Sequence, residues 1–174
     1  FAQLAEVLRA PREWCAIAVL HLNIKTCTHE RAEKGEWLNF YSGRKFYEPP
    51  EKAYALRYAF HVEAARADYL AVTLTADSGP LGTTDYRIML EAVPLGSGAF
   101  MHFRYAYRPS LVSSVATASY LATFGSGKVG FSVVDEKRDG KPVLVSGVRG
   151  IVERNAMRYY LAIQAFLESL NAPE

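Results

Sequence analysis

The chain ends in its longest amphipathic segment, which runs from Gly150 to about Leu170. Apolar side chains recur in it at helical spacing, while charged residues such as Glu153, Arg154 and Arg158 occupy much of the remainder. The apolar positions are Val152, Ala156, Tyr159, Ile163, Phe166, Leu167 and Leu170. A single helix of this length needs a broad surface to cover, and this requirement constrains how the preceding residues fold.

Alternating segments before the helix are typical of strands. They lie at residues 36–47 (with a bulge at Gly43), 53–66, 69–76, 84–93 and 99–107, and two shorter ones at 129–134 and 143–148. Tight turns join successive strands, and the sequence shows no crossover helix between pairs, which predicts an α+β fold with a curved antiparallel sheet. A space between that sheet and the long helix would hold either side chains or a bound molecule.

Helices are also predicted outside the C-terminal segment. Residues 2–10 form a short one, and Pro11 suits the first turn of a second. Residues 111–123 follow a capping Ser110 and form a third, which could act as a lid. The apolar run that follows Pro11 is expected to pack under the sheet; it contains Trp14, Ile17, Val19, Leu20, Leu22 and Ile24.

Composition narrows the function classes. A chain of 174 residues, half of them apolar, fits one domain spanning residues 1–174 and is not disordered. A net charge of +2 without a basic block argues against nucleic-acid binding. No apolar run is long enough for a membrane span. The chain begins at Phe1 without a signal-peptide layout, and we interpret it as a mature or trimmed sequence.

Two cysteines, Cys15 and Cys27, lie close together in the sequence. Their spacing favours one disulfide in a periplasmic or secreted protein. Two buried thiols in a cytoplasmic protein are the alternative. A metal site with His21 and His29 is a third possibility, although the spacing matches no common zinc pattern.

No catalytic signature is present. The segment from Gly125 to Lys128 lacks the full phosphate-loop pattern and instead indicates a helix stop. His61, His102 and Glu91 could serve acid–base chemistry, but no partner for them can be identified from sequence. We therefore assign no catalytic residue, metal or cofactor.

The order of elements resembles the helix-grip fold of the START and SRPBCC superfamily, which includes StAR-related lipid-transfer domains, the birch-pollen allergen type and polyketide cyclases. Three stretches carry the resemblance: Leu4-x3-Leu8-x2-Pro11-x2-Trp14; Tyr105-Ala106-Tyr107 through to Lys128-Val129-Gly130-Phe131; and Gly147-x-Arg149-Gly150 leading into Glu153–Leu161. The resemblance implies a curved sheet wrapped around the C-terminal helix, with an apolar molecule held between them.

The chain departs from the family in two respects, one of which is that the helix predicted at residues 111–123 lies later than the family's usual pair of helices. Family members usually begin with a strand before the first helix, whereas this chain starts at the helix, so either that strand was removed or the register of the comparison is shifted. A missing edge strand would leave an unpaired sheet edge, so we expect a monomer or a swapped dimer.

The resemblance implies binding and transfer of a sterol, fatty acid or other lipid, with transient membrane contact. A cyclase or aromatase on the same fold, or an interaction module without a pocket, are the alternatives. Arg57, Arg104 and Arg149 are candidate anchors for a polar group on the ligand. Candidate ligand-binding residues, each of which could instead be ordinary core, are Tyr58, Phe60, Ile88, Leu90, Phe103, Arg104, Tyr105, Tyr120, Phe124, Met157, Tyr160 and Ile163.

Overall fold

A computed structural model of the chain describes residues 1–43, 46–47 and 49–171. The fold is α+β, with an antiparallel sheet and a long C-terminal helix, as predicted, and the main sheet has six strands among the described residues. The elements are α1 (Ala2–Leu8), α2 (Pro11–Ala18), β1 (Ile24–Ala32), β2 (Gly35–Ser42), β3 (Tyr54–Arg66), β4 (Tyr69–Ser78), β5 (Thr84–Leu95), β6 (Gly98–Arg108), α3 (Leu111–Ala122), β7 (Val133–Glu136), β8 (Pro142–Leu144) and α4 (Gly147–Ser169).

Strands β1 to β6 lie in the sheet in chain order, each antiparallel to the next. The pairing places Leu90 of β5 opposite Val72 of β4 and Phe103 of β6. Because side chains alternate along a strand, this register brings the apolar residues to one face. The buried members of that inner face include Leu38, Phe40, Leu56, Tyr58, Phe60, Leu70, Val72, Leu74, Tyr86, Ile88 and Leu90.

Helices fill one end of the inner face completely. Leu8, Trp14 and Ile17 from the N-terminal helices and Ile163 from α4 are buried there. The indole Nε1 of Trp14 donates a hydrogen bond to the carbonyl of Leu8 at 2.6 Å, and its ring packs edge-on to Phe60. The gap left between these groups is about 10 Å³, room for one water molecule at most. This end of the molecule is therefore a solid core.

The prediction for the last two strands was wrong in detail. Strands β7 and β8 are shorter than predicted and form a separate two-stranded sheet outside the main one. Gly147 adopts a φ of 65°, which ends the extended segment early, so α4 begins there and Val148 is helical.

Strand β1 was missed because its sequence is largely polar, as suits an edge strand that is only partly buried. The predicted strand at 36–47 ends at Ser42, and a register shift occurs in β1 between Ile24 and Thr26. Gly43 lies beyond β2, and the prediction for Arg44 and Lys45 falls outside the described residues.

Part of the apolar run after Pro11 is exposed rather than packed. Trp14, Ile17 and Ile24 are buried as predicted, but α2 ends at Ala18 and the chain then turns at the surface. The exposed members are Val19, Leu20 and Leu22. Tyr54 and Val62, near the two ends of the inner-face row of β3, are likewise exposed.

Cys15 of α2 and Cys27 of β1 lie at disulfide-bonding distance, with Cα atoms 5.0 Å apart. The pair fits an oxidising compartment. It would tie α2 to the first strand of the sheet. None of the described helices is both long and apolar enough to cross a membrane.

Replacing both cysteines (Cys15→Ala with Cys27→Ala) should lower the free energy of unfolding by about 3 kcal/mol, because the unfolded chain regains the freedom of the closed loop. Urea denaturation without reductant measures this. Reductant added to the unaltered protein should reproduce the loss. Two thiols that take up alkylating reagent in the untreated protein would show that no bridge forms.

Candidate functional site

A cavity of about 880 Å³ separates the first half of α4 from the inner face of the sheet. Its size lies within the range of small-molecule binding sites. The cavity begins where the solid core ends. Its described wall residues are His21, Asn23, Ile24, Phe40, Ser42, Phe46, Leu56, Tyr58, Pro80, Tyr86, Tyr105, Tyr120, Phe124, Lys128, Ile151, Arg154, Asn155, Arg158 and Tyr159.

The sheet contributes an aromatic wall. Phe40, Tyr58, Tyr86 and Tyr105 lie on strands β2, β3, β5 and β6, all on the inner face. Ring centroids are 5.2 Å apart for Phe40 and Tyr58, 6.2 Å for Tyr58 and Tyr86, and 6.4 Å for Tyr86 and Tyr105. These are ordinary packing distances for aromatic pairs, so the wall is a continuous surface.

The tyrosine hydroxyls of the wall remain protonated. Burial raises the pKa of Tyr58 and of Tyr105 well above the ordinary value, and it raises the pKa of Tyr159 to about 12. Burial also raises the pKa of Tyr86, opposed by the 2.5 Å hydrogen bond between its hydroxyl and that of Thr83. At neutral pH these groups are therefore uncharged hydrogen-bonding groups within an otherwise apolar surface.

Helix α4 contributes one face to the opposite wall. Ile151, Arg154, Asn155, Arg158 and Tyr159 recur at helical spacing and all line the cavity. The guanidinium Nη1 of Arg154 donates to the carbonyl of Val129 at 3.3 Å, and that of Arg158 donates to Asn155 Oδ1 at 2.9 Å. Both arginines are half-buried.

Tyr159 lies where the cavity meets the solid core. Its ring stacks on His21 at 4.5 Å and on Phe103 at 5.7 Å. These contacts fix the ring between α4, the loop after α2 and the last strand of the main sheet.

Helix α3 and the residues after it form the rim. Its N-terminus is fixed by a capping box between Ser110 and Ser113, as the predicted cap requires. The Lys128 ammonium hydrogen-bonds to the Tyr120 hydroxyl and lies 4.7 Å from the centre of that ring. A Cβ on Gly125 would lie 2.7 Å from the Tyr120 ring, so glycine permits this packing.

Glu153 fastens the segment after Lys128 to α4. Its carboxylate accepts backbone N–H groups from Phe131 at 2.9 Å and Ser132 at 3.0 Å, and pairs with Arg149 at 3.3 Å. The two backbone hydrogen bonds hold the pKa of Glu153 down to about 2. The segment that carries Lys128 is thereby held against α4, which forms the wall of the cavity opposite the sheet.

The structure divides the sequence-predicted ligand-binding residues into groups. Tyr58, Tyr105, Tyr120 and Phe124 line the cavity. Five others lie in or against the solid core, namely Phe60, Ile88, Leu90, Phe103 and Ile163. Their burial comes from packing against side chains and not against the cavity.

Arg104, Met157 and Tyr160 lie away from the cavity. Arg104 is exposed and pairs with Glu91 at 3.3 Å. Met157 and Tyr160 occupy the side of α4 opposite the cavity-lining face, because they are offset by more than a quarter turn from it, and both are exposed. Tyr160 instead borders a shallow depression near Leu4 and Met101.

The other predicted anchors and acid–base groups also lie elsewhere. Arg57 pairs with Glu30 at 3.0 Å, and Arg149 pairs with Glu153. His61 is exposed, and His102 lies 3.2 Å from Glu91.

Sequence reasoning missed the polar residues of the cavity, which are His21, Asn23, Ser42, Lys128, Arg154, Asn155 and Arg158. The available signal was the spacing of Arg154 and Arg158 on one helical face with Ile151 and Tyr159.

Comparisons with protein-family models, with curated protein sequences and with solved structures find no match for this chain.

Glu153→Gln should make stability less sensitive to acid. A carboxyl whose folded pKa is lowered stabilises the fold above its unfolded pKa, and that contribution is lost as pH falls towards about 2. Urea midpoints from about pH 5 down to about pH 2.5 should therefore fall further for the unaltered protein than for the variant. Glu168→Gln, at an exposed position of α4, is the control. An equal fall of the urea midpoint with pH in Glu153→Gln and in the unaltered protein would contradict this contribution of Glu153 to acid sensitivity.

Proposed function

We propose that the protein binds an apolar small molecule, such as a sterol, fatty acid or other lipid, in this cavity and transfers it through water. The cavity itself is the main support. It offers about 880 Å³ behind a wall in which aromatic and aliphatic side chains predominate over a few polar groups. This is the usual composition of a site that holds its ligand by burial and orients it by a few hydrogen bonds.

The architecture supports the same proposal. A six-stranded antiparallel sheet and a long C-terminal helix are compatible with the helix-grip fold of the START and SRPBCC superfamily. In that fold the apolar molecule lies between helix and sheet, which is where the cavity lies here. The cysteine pair supports a periplasmic or secreted carrier.

Burial supplies the binding energy in this proposal. Each Å² of apolar ligand surface removed from water contributes about 25 cal/mol, from which the cost of immobilising the ligand is subtracted. A ligand with a substantial hydrocarbon body is therefore favoured over a small polar one.

Helix α3 supports contact with a membrane during transfer. No residue between Arg108 and Lys128 is charged, and Leu111 and Val115 are 87% and 66% exposed. Tyr120, at the other end of α3, lines the cavity. An uncharged helix with exposed apolar side chains at a cavity rim can enter a lipid surface and deliver the ligand directly.

Leu56→Trp should weaken binding of a neutral fluorescent apolar probe at least tenfold, because the larger ring occupies cavity volume. The probe N-phenylnaphthylamine reports this by its fluorescence increase. Leu95→Trp places the same ring at the exposed β5–β6 turn and should bind as the unaltered protein does. An unaltered protein that takes up no neutral apolar probe would overturn the proposed function.

Leu111→Ser combined with Val115→Ser should slow transfer of a bound fluorescent lipid to vesicles while leaving its equilibrium affinity unchanged. Both side chains are exposed, so their loss reduces contact with lipid but does not change the ligand-binding wall. Stopped-flow transfer rates measure the effect. Leu95→Ser, a similarly exposed leucine at the opposite end of the β5–β6 hairpin, is the control. Equal transfer rates for the unaltered protein, the α3 double variant and the control would show that α3 takes no part in transfer.

A further inference from the structure

The cavity wall carries an unbalanced charge. Lys128, Arg154 and Arg158 all line it, and all three are half-buried. Among the described residues of the wall, none is acidic. Arg154 and Arg158 lie one helical turn apart, and Arg154 donates to the carbonyl of the residue that follows Lys128, so the cations gather at one end of the wall.

These cations have donors left over. An arginine guanidinium has five N–H groups, whereas the hydrogen bonds described for Arg154 and Arg158 use one group each. Both bonds go to neutral oxygens, of Val129 and Asn155. The Lys128 ammonium likewise contacts a neutral group, the Tyr120 hydroxyl.

Carboxylates elsewhere in the described part of the chain pair with other cations. Glu91 pairs with Arg104, and Glu30 with Arg57, on the exposed side of the sheet. Glu153 is on α4 next to Arg154, but its oxygens contact Arg149 and two backbone N–H groups. No described ion pair involves Lys128, Arg154 or Arg158. An anionic group that enters the cavity would therefore meet cations that no described carboxylate neutralises.

Neutral donors complete the arrangement. The hydroxyls of Tyr58 and Tyr105 have no hydrogen-bond partner among the described residues, and both residues line the cavity. Because burial raises the pKa of each, neither introduces a negative charge that would neutralise the cations.

We propose that the ligand is an anionic amphiphile whose carboxylate or phosphate head binds Lys128, Arg154 and Arg158 while its hydrocarbon body lies against the aromatic sheet wall. This inference rests on the proposed function and specifies the ligand class of the same cavity. Arginine suits the head because its planar fork matches the geometry of carboxylate and phosphate oxygens.

Four ligands with the same twelve-carbon tail test the proposal on the unaltered protein by displacement of neutral N-phenylnaphthylamine, below their micelle concentrations. Dodecanoate and dodecyl phosphate should bind at least about tenfold more tightly than dodecanol, and dodecyltrimethylammonium most weakly. The preference should shrink as salt rises, because mobile ions screen the charges. The order of the two anions then distinguishes a carboxylate head from a phosphate head.

Variants locate the anion site. Arg154→Gln and Arg158→Gln should each reduce the affinity for the preferred anion about tenfold and reduce that for dodecanol much less, because a neutral hydroxyl loses no charge pairing. Arg104→Gln removes one positive charge from the outer face of the sheet and should alter neither affinity. Circular dichroism and thermal midpoints check folding, and the ligand comparison on the unaltered protein does not depend on any variant.

The outcomes separate the two proposals. Equal affinity for dodecanol and dodecanoate would overturn the anionic ligand and leave an apolar carrier intact. An unchanged anion preference in both arginine variants would also overturn it. Failure of the neutral probe to bind the unaltered protein would overturn the proposed function as well.

Discussion

The contact of α4 with the sheet changes along the helix, and the cavity depends on this change. Near its C-terminal end, Ala162 and Ile163 are buried against the sheet and α2, with almost no space left between them. One turn earlier Tyr159 reaches the core only through stacked rings, and before it the wall is lined by longer polar side chains. A helix is stiff over this distance, so fixing its second half also fixes how far its first half stands from the sheet.

The distribution of aromatic side chains follows the same division. Trp14 and Phe60 occupy the solid end, where a hydroxyl would have no role, whereas Tyr58, Tyr86 and Tyr105 occupy the cavity. Tyrosine combines an apolar ring with a polar tip, which suits a wall that contacts both hydrocarbon and polar groups. The excess of tyrosine over phenylalanine in the sequence is thus expressed in part at the cavity.

Sequence patterns predicted the strands and helices that bury one face and expose the other. The alternation of Tyr86, Ile88 and Leu90 identified β5 because most of its outer side chains are polar. Strand β1 escaped prediction because both its faces are largely polar, and α4 was placed three residues late because a positive φ at Gly147 is invisible to hydrophobic periodicity. Turn geometry and edge position are tertiary properties, so local composition specifies them weakly.

The site was harder to predict than the fold, and α4 shows why. Its core-facing residues, such as Ile163 and Phe166, define the apolar stripe that periodicity detects. The cavity-facing stripe of its first half is rotated from that one and contains Arg154 and Arg158, which a simple amphipathic reading assigns to solvent. Tyr159 belongs to both stripes, and it lies where the solid core gives way to the cavity. The second half of α4 packs in the core and its first half lines the cavity. The two halves therefore use faces that lie at different angles around the helix axis. A single hydrophobic direction averaged over its length identifies only the packing face.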